Sequence, residues 1–310
     1  MSDTGKQKFI YYHYDPSLGG EVAFIVIFAL VTVAHLILMI RRRTWYFIPF
    51  VLGCLFEAVG YMGRAIQASQ EPDEWVRGPY ILQALTILLA PALFAASIYM
   101  VLGRIIRLLD AAHLSLIRVS WLTKIFVAGD VLSFAAQGAG GGMLSSAKTK
   151  KDQDLGNNVV LAGLGIQVVV FGLFIITTVL FHMRMRKQPT SRSFGVTTPW
   201  TQLLWVLYAS SALIMVRSMF RMIEYALGWD NVLMQSEVYL FLLDGALMVL
   251  VTLLFLVYHP GRVLIGYKEI PAGGRGKGSG GETTDEGSEY QMMDRGSRQE
   301  RRDRRVDMAV

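Results

Sequence analysis

Seven segments of this chain are long and apolar enough to cross a hydrocarbon layer of about 30 Å, which takes roughly 20 mostly apolar residues per helix. Residues 22–40, 158–182 and 238–258 do so with little interruption, while 46–66, 79–106, 121–144 and 201–227 are as long but carry more polar side chains. With 53% hydrophobic and 17% charged residues among 310, the chain is too apolar for an ordinary soluble domain. The expectation is an all-α polytopic membrane protein with three parts: an extracellular N-terminal segment over 1–21, a seven-helix transmembrane domain over 22–260 and a disordered cytoplasmic tail over 261–310. The first apolar run lacks a small-residue cleavage site and reads as a retained span.

Eight ionisable residues interrupt these spans: Glu57, Arg64, Asp130, Arg217, Arg221, Glu224, Glu237 and Asp244. A charge at mid-bilayer costs roughly 2.5–3.5 kcal/mol on insertion scales, so these side chains should face one another or a watered cavity, not lipid. Helical spacing organises them. Glu57, Tyr61 and Arg64 fall on one face, as do Arg217, Arg221 and Glu224; Asp130 with Gln137, and Glu237 with Asp244, are each separated by two turns.

Lysine and arginine counts set the orientation. Arg41, Arg42 and Arg43, then Arg107 and Arg118, then Arg184, Arg186, Lys187 and Arg192, then Arg262 and Lys268 follow the first, third, fifth and seventh spans. The opposite side carries fewer, which predicts an outer N-terminus and a cytoplasmic C-terminus. On that topology Arg64, Gln83, Gln137, Glu224 and Glu237 lie near the outer surface, with Glu57, Asp130, Arg217 and Asp244 a few turns deeper. All the polar stripes then occupy the outer half, a pattern expected of a polar cavity open outward and closed at its floor. A salt-bridge network that only locks helices together is the competing reading. The excess of carboxylates, and the poor return in stability from a buried ion pair, weigh against it. A cationic headgroup or a proton would suit that excess.

Pro91 interrupts the third span and should kink it, freeing backbone carbonyls that Thr86 or Ser97 could partly satisfy; a static kink or a hinge would follow. Gly138, Gly140, Gly141 and Gly142 end the fourth span, and Gly163, Gly165 and Gly172 read as a packing face on the fifth.

Several classes are excluded or unsupported. A single cysteine, Cys54, rules out an intrachain disulfide. The five histidines lack metal-site spacing, and no nucleophile-elbow, Walker or Cys-x-x-Cys motif occurs, so neither a metal nor a cofactor nor an enzymatic activity is expected. The last span has no lysine for a retinal Schiff base. The net charge of +6 comes partly from the Gly-, Ser- and charge-rich tail, whose Arg301, Arg302, Arg304 and Arg305 could meet anionic lipid; no folded basic domain points to nucleic acid. The expected partners are membrane lipids and an amphiphilic small molecule.

The same residues resemble a known family, the fungal RTA-like or lipid-translocating exporter proteins. Phe56-Glu57-Ala58-Val59-Gly60-Tyr61-Met62-Gly63-Arg64 resembles its second-helix motif; Gln83 with Leu89-Ala90-Pro91-Ala92-Leu93-Phe94-Ala95-Ala96-Ser97 resembles its third. Asp130 to Gly142, Arg217 to Glu224, and Gly228, Glu237, Tyr239 and Asp244 resemble the later ones, although Ser236 stands where the family often has histidine. The resemblance implies a seven-helix plasma-membrane protein linked to export of sphingoid long-chain bases, resistance to toxic sterol-like amphiphiles and, in some members, porphyrin handling. A receptor-like sensor is the alternative. Against it, the third span ends Leu102-Gly103-Arg104-Ile105-Ile106-Arg107 and the seventh Val257-Tyr258-His259-Pro260, without the usual receptor switch motifs. A ceramidase-type enzyme would need an inward-facing histidine set that the sequence lacks.

Overall fold

In lipid every backbone N–H and C=O must be satisfied within the chain, which leaves apolar runs of this length little choice but the helix. The computed structural model describes residues 17–70, 77–147, 149–195, 200–227 and 237–264. Within them, seven helices are long and apolar enough to cross a membrane. We label them α1 (Leu18–Arg41), α2 (Ile48–Ala68), α3 (Arg77–Leu108), α4 (Val119–Ser146), α5 (Lys150–Lys187), α6 (Trp200–Leu227) and α7. Helix α7 is composite: an α-helical turn Glu237–Leu240, a π-helical stretch Phe241–Ala246 and an α-helix Leu247–Val257. The N-terminal stretch before Ser17, the acidic residues at 71–74 and the tail beyond residue 264 lie outside the described residues.

Local chemistry sets several ends. Pro49 occupies the first turn of α2, where its missing N–H costs nothing. Thr149 and Asp152 form a reciprocal capping box at the start of α5, with Asp152 N donating to Thr149 Oγ1 (3.2 Å) and Thr149 N to Asp152 Oδ2 (3.2 Å). Two spans depart from their expected limits. Helix α1 begins at Leu18, four residues before the apolar run, and so takes Glu21 into the bundle; α5 extends over 38 residues, its polar first turns carried by the cap.

The bundle is apolar outside as well as inside. Leu30, Val131, Val169 and Trp205 are 60–66% exposed, a surface that suits acyl chains and not water. Near the end of the bundle that carries Arg41 and Arg107, the core is aromatic. Phe50 packs against Phe47 (4.4 Å between centroids), Phe94 (4.8 Å) and Phe255 (5.0 Å), joining α2, α3 and α7. Tyr99, Phe126 and Phe174 close the adjoining space between α3, α4 and α5. Helices α4 and α5 meet closely because Gly140, Gly156 and Gly163 leave no room for a Cβ: at Gly140 it would lie 2.8 Å from the Gly156 carbonyl, and at Gly163 2.9 Å from that of Ser133. Of the glycines expected to pack on α5, only Gly163 does so; Gly165 has nothing within 4 Å of a would-be Cβ and Gly172 only the tip of Met215 at 3.8 Å.

Candidate functional site

The opposite half of the bundle holds the charges, in three groups. In the first, Arg64 of α2 donates from Nε to Glu21 Oε1 of α1 (2.6 Å) and from Nη2 to Glu237 Oε1 of α7 (3.4 Å). Glu237 also accepts the Ser17 backbone N–H on both oxygens, at 3.1 and 3.0 Å, tying the first turn of α1 to the first turn of α7. Glu21 is fully buried, yet sequence reasoning placed it in the polar N-terminal segment. The signal that could have found it is the i, i+4 and i+7 face of α2, whose arginine needed a partner near the outer helix ends.

The second group lies deeper. Arg217 of α6 forms an ion pair from Nε with Asp244 of α7, in the π-helical stretch, and donates from Nη2 to the Ile87 carbonyl of α3 (2.8 Å). Ile87 is four residues before Pro91, so its carbonyl is the one that the missing proline N–H leaves without a helical donor. Thr86 and Ser97, the expected rescuers, instead back-bond within their own turns, to Leu82 and Leu93. An arginine from another helix does the work, so the carbonyl that Pro91 leaves free and the charge network are one structure. Glu57 of α2, 1% exposed, lies in the field of both Arg217 and Asp244, and its Oε1 has no hydrogen-bond partner among the described residues. Tyr61, one turn further along α2, stacks on Phe24 of α1 (4.9 Å), and its hydroxyl abuts Gly245, where any Cβ would collide with it. Glycine there lets α7 approach α2.

The third group, on α6 alone, pairs Arg221 Nη1 with Glu224 Oε2 (2.7 Å) and sets the guanidinium 5.4 Å from the Tyr225 ring. Thus Arg217 and Arg221, though on one face by spacing, serve different neighbours. Helix α4 departs from expectation. Asp130 stands beside the Tyr99 hydroxyl of α3 and joins no arginine among the described residues. Gln137 donates from Nε2 to Ser133 Oγ (2.7 Å) and to Gln167 Oε1 of α5 (3.1 Å), while Ser133 donates to the Gly163 carbonyl (2.7 Å). Gln83 of α3 is buried where Gly63 brings α2 against it.

The cluster is closed in this structure. Glu57, Tyr61, Arg64, Gln83, Asp130, Gln137, Arg217, Glu224 and Asp244 are all at most 7% exposed, and Glu237 side-chain exposure is 14%. Of the polar residues named from sequence, Gln137 and Arg221 line a cavity of about 190 Å³ between α3, α4, α5 and α6, with Gly138, Gly141 and Gly142 beside them. Among the described residues no set of histidine, cysteine, aspartate and glutamate side chains could hold a metal ion.

Seven apolar helices sharing a buried, carboxylate-rich ion network define a multi-pass integral membrane protein whose inter-helix charges are concentrated in one half. Residues 50–266 match the RTA1 like protein family, and the chain belongs to that family. It is 37% identical over 280 residues to Protein RTA1 of Saccharomyces cerevisiae (strain ATCC 204508 / S288c), covering 82% of this chain and 86% of the relative. Protoporphyrin uptake protein 1 of the same strain is 33% identical over 289 residues, covering 82% of this chain and 93% of the relative. The Sphingoid long-chain base transporter RSB1 of that yeast, strain Lalvin EC1118 / Prise de mousse, is 26% identical over 278 residues, covering 79% of this chain and 72% of the relative. No solved structure matches the chain.

Proposed function

We propose that this protein binds amphiphilic lipids of the sphingoid long-chain-base or sterol-like class and moves them between leaflets or out of the cell, without covalent chemistry, thereby conferring resistance to toxic amphiphiles. The observation that carries the reading is an imbalance: among the described residues, Glu21, Glu57, Asp130, Glu224, Glu237 and Asp244 share this half of the bundle's interior with only Arg64, Arg217 and Arg221. A sphingoid ammonium is the kind of cation that would offset the surplus, and its chain would stay between helices or in lipid. The transport names of family relatives support the substrate class. The arginine distribution supports a charged half facing outward and a C-terminus in the cytoplasm; the family resemblance is what suggests the plasma membrane.

The same geometry favours opening at one end. Ion pairs can be rehydrated or exchanged for a ligand cation, whereas the Phe47–Phe50–Phe94–Phe255 cluster could open only by exposing apolar rings. The test is transfer of a labelled sphingoid base across liposomes containing the purified protein, comparing wild type, Glu57→Gln and empty vesicles. Wild type should transfer, and the variant should fall to the empty-vesicle rate while remaining folded; Asp130→Asn should behave likewise. Equal rates in all preparations would overturn transport and leave a receptor-like sensor, recognised by ligand-dependent recruitment of a cytoplasmic partner.

A further inference from the structure

The cavity between α3, α4, α5 and α6 is separate from the two arginine-centred groups at Arg64 and Arg217. Its walls are apolar on the α3 side, with Leu85 and Leu88, and nearly bare on the α4 side, with Gly138, Gly141 and Gly142. A Cβ built on any of these three glycines would meet nothing within 4 Å, so the space in front of them is free and not taken up by a neighbouring helix. Gly140, between them, shows the contrast: it faces α5, where a Cβ would meet Val160 and the Gly156 carbonyl. Ile81 and Leu85 at the rim are 44% and 41% exposed on the apolar outer surface, so the cavity is reached from the hydrocarbon side.

Two polar atoms belonging to residues of this wall have no partner among the described residues: Gln137 Oε1 and Arg221 Nε. Gln137 is 3% exposed, and its amide nitrogen is already committed to Ser133 and Gln167, which fixes which end of the amide remains to accept a hydrogen bond. Leaving a buried acceptor unmatched costs about 1–3 kcal/mol. Both residues line the same cavity, each with one unmatched polar atom beneath its surface, and a hydroxyl, which both donates and accepts, is the group that matches an acceptor and a donor together. The volume of about 190 Å³ equals roughly six waters at about 30 Å³ each, room for a hydroxyl and the first few carbons of its chain but not for a fused ring system.

We infer that this cleft binds the hydroxyl-bearing head portion of a single-chain amphiphile entering laterally from the bilayer, with the hydroxyl held between Gln137 and Arg221 and the chain along the glycine face of α4. The inference rests on the proposed lipid-handling function and adds where a neutral hydroxyl, as opposed to a cation, is recognised.

The experiment uses the purified full chain in nanodiscs and a photoactivatable, clickable sphingosine, with cross-linked peptides mapped by mass spectrometry. Labelling should fall within 80–88 of α3 and 137–144 of α4. Gly141→Leu starts its side chain in free space, where a Cβ meets nothing within 4 Å, and should reduce that labelling about tenfold or more while the protein stays monodisperse and equally thermostable; Gly138→Leu should do the same. Unlabelled sphingosine should compete at least about tenfold better than its 1,3-di-O-methyl ether, the loss expected of one hydrogen bond to a charged group. Ergosterol should compete poorly. Labelling that ignores both glycine variants, equal competition by the ether, or stronger competition by ergosterol would each overturn the inference. Cleft labelling together with no liposome transfer would uphold the cleft and refute the transport proposal; transfer without cleft labelling would do the reverse.

Discussion

Glu21–Arg64–Glu237, with one guanidinium bonded to two carboxylates, and Arg217–Asp244, with Glu57 in the field of both, differ in depth and in what else the arginine holds. The first joins the ends of α1, α2 and α7, has one carboxylate 14% exposed and borrows a backbone N–H from Ser17. The second joins α2, α6 and α7 below the surface, with side chains of Arg217 and Asp244 at 3% and 2%, and its arginine also completes the backbone of α3 at Ile87. The shallow group reaches water through Glu237, and the deep one has no member as exposed. A ligand or proton that disturbed the deep group would also take the donor from the Ile87 carbonyl, so this group couples charge to the backbone of α3.

If depth decides, removing the two arginines should have unequal effects. Arg217→Met leaves Glu57 and Asp244 without their cation and the Ile87 carbonyl without a donor, which should cost about 3–5 kcal/mol. Arg64→Met should cost less, about 1–3 kcal/mol, because water can reach Glu237 at the helix end, although Glu21 is buried. Thermal unfolding of the detergent-solubilised protein, followed by size-exclusion of a fluorescent fusion, checks both; equal losses would break the distinction. Next in size is Gly245→Ala, which drives a methyl into the Tyr61 hydroxyl and the Phe24 ring and should cost about 1–3 kcal/mol. Adding Tyr61→Phe removes the nearest atom and should recover part of that loss. No recovery would mean that the close approach of α7 to α2 is set elsewhere.

Much of this was legible in advance, for identifiable reasons. Apolar runs fix seven spans because lipid permits few alternatives, and spacing put Glu57, Tyr61 and Arg64 on one face of α2, which the structure keeps. Family membership followed from motifs on α2, α3 and α6, and the comparisons bear it out. The failures lie where the answer depends on a second helix. Glu21 sits just before an apolar run and reads as surface until α2 supplies Arg64. Pro91 announces a carbonyl in need of a donor, but its own sequence neighbourhood offers only Thr86 and Ser97, and the actual donor is 130 positions away. The π-helical stretch around Asp244 has no local signature and changes the direction of its side chain relative to a straight helix. Asp130 and Gln137 share a face, yet one meets α3 and the other α5.

The link between the proline's free carbonyl and the charge network can be isolated by a double-mutant cycle. Pro91→Ala restores an N–H that can bond the Ile87 carbonyl, so Arg217→Met no longer orphans that group in the alanine background. The double variant should therefore be more stable than additivity requires by about 1 kcal/mol, the net value of one backbone hydrogen bond. Strict additivity would mean that Arg217 and the proline carbonyl are neighbours without energetic connection. The shallow group sets the lower end of the scale. Glu237→Gln removes one charge from Arg64, but Glu21 still holds the guanidinium at 2.6 Å and the amide oxygen still accepts the Ser17 N–H. The expected loss is about 0.2–1 kcal/mol, as for other partly solvated ion pairs, and it should shrink further in high salt. A larger, salt-independent loss would place Glu237 with the deep group and remove the basis for treating the two as different.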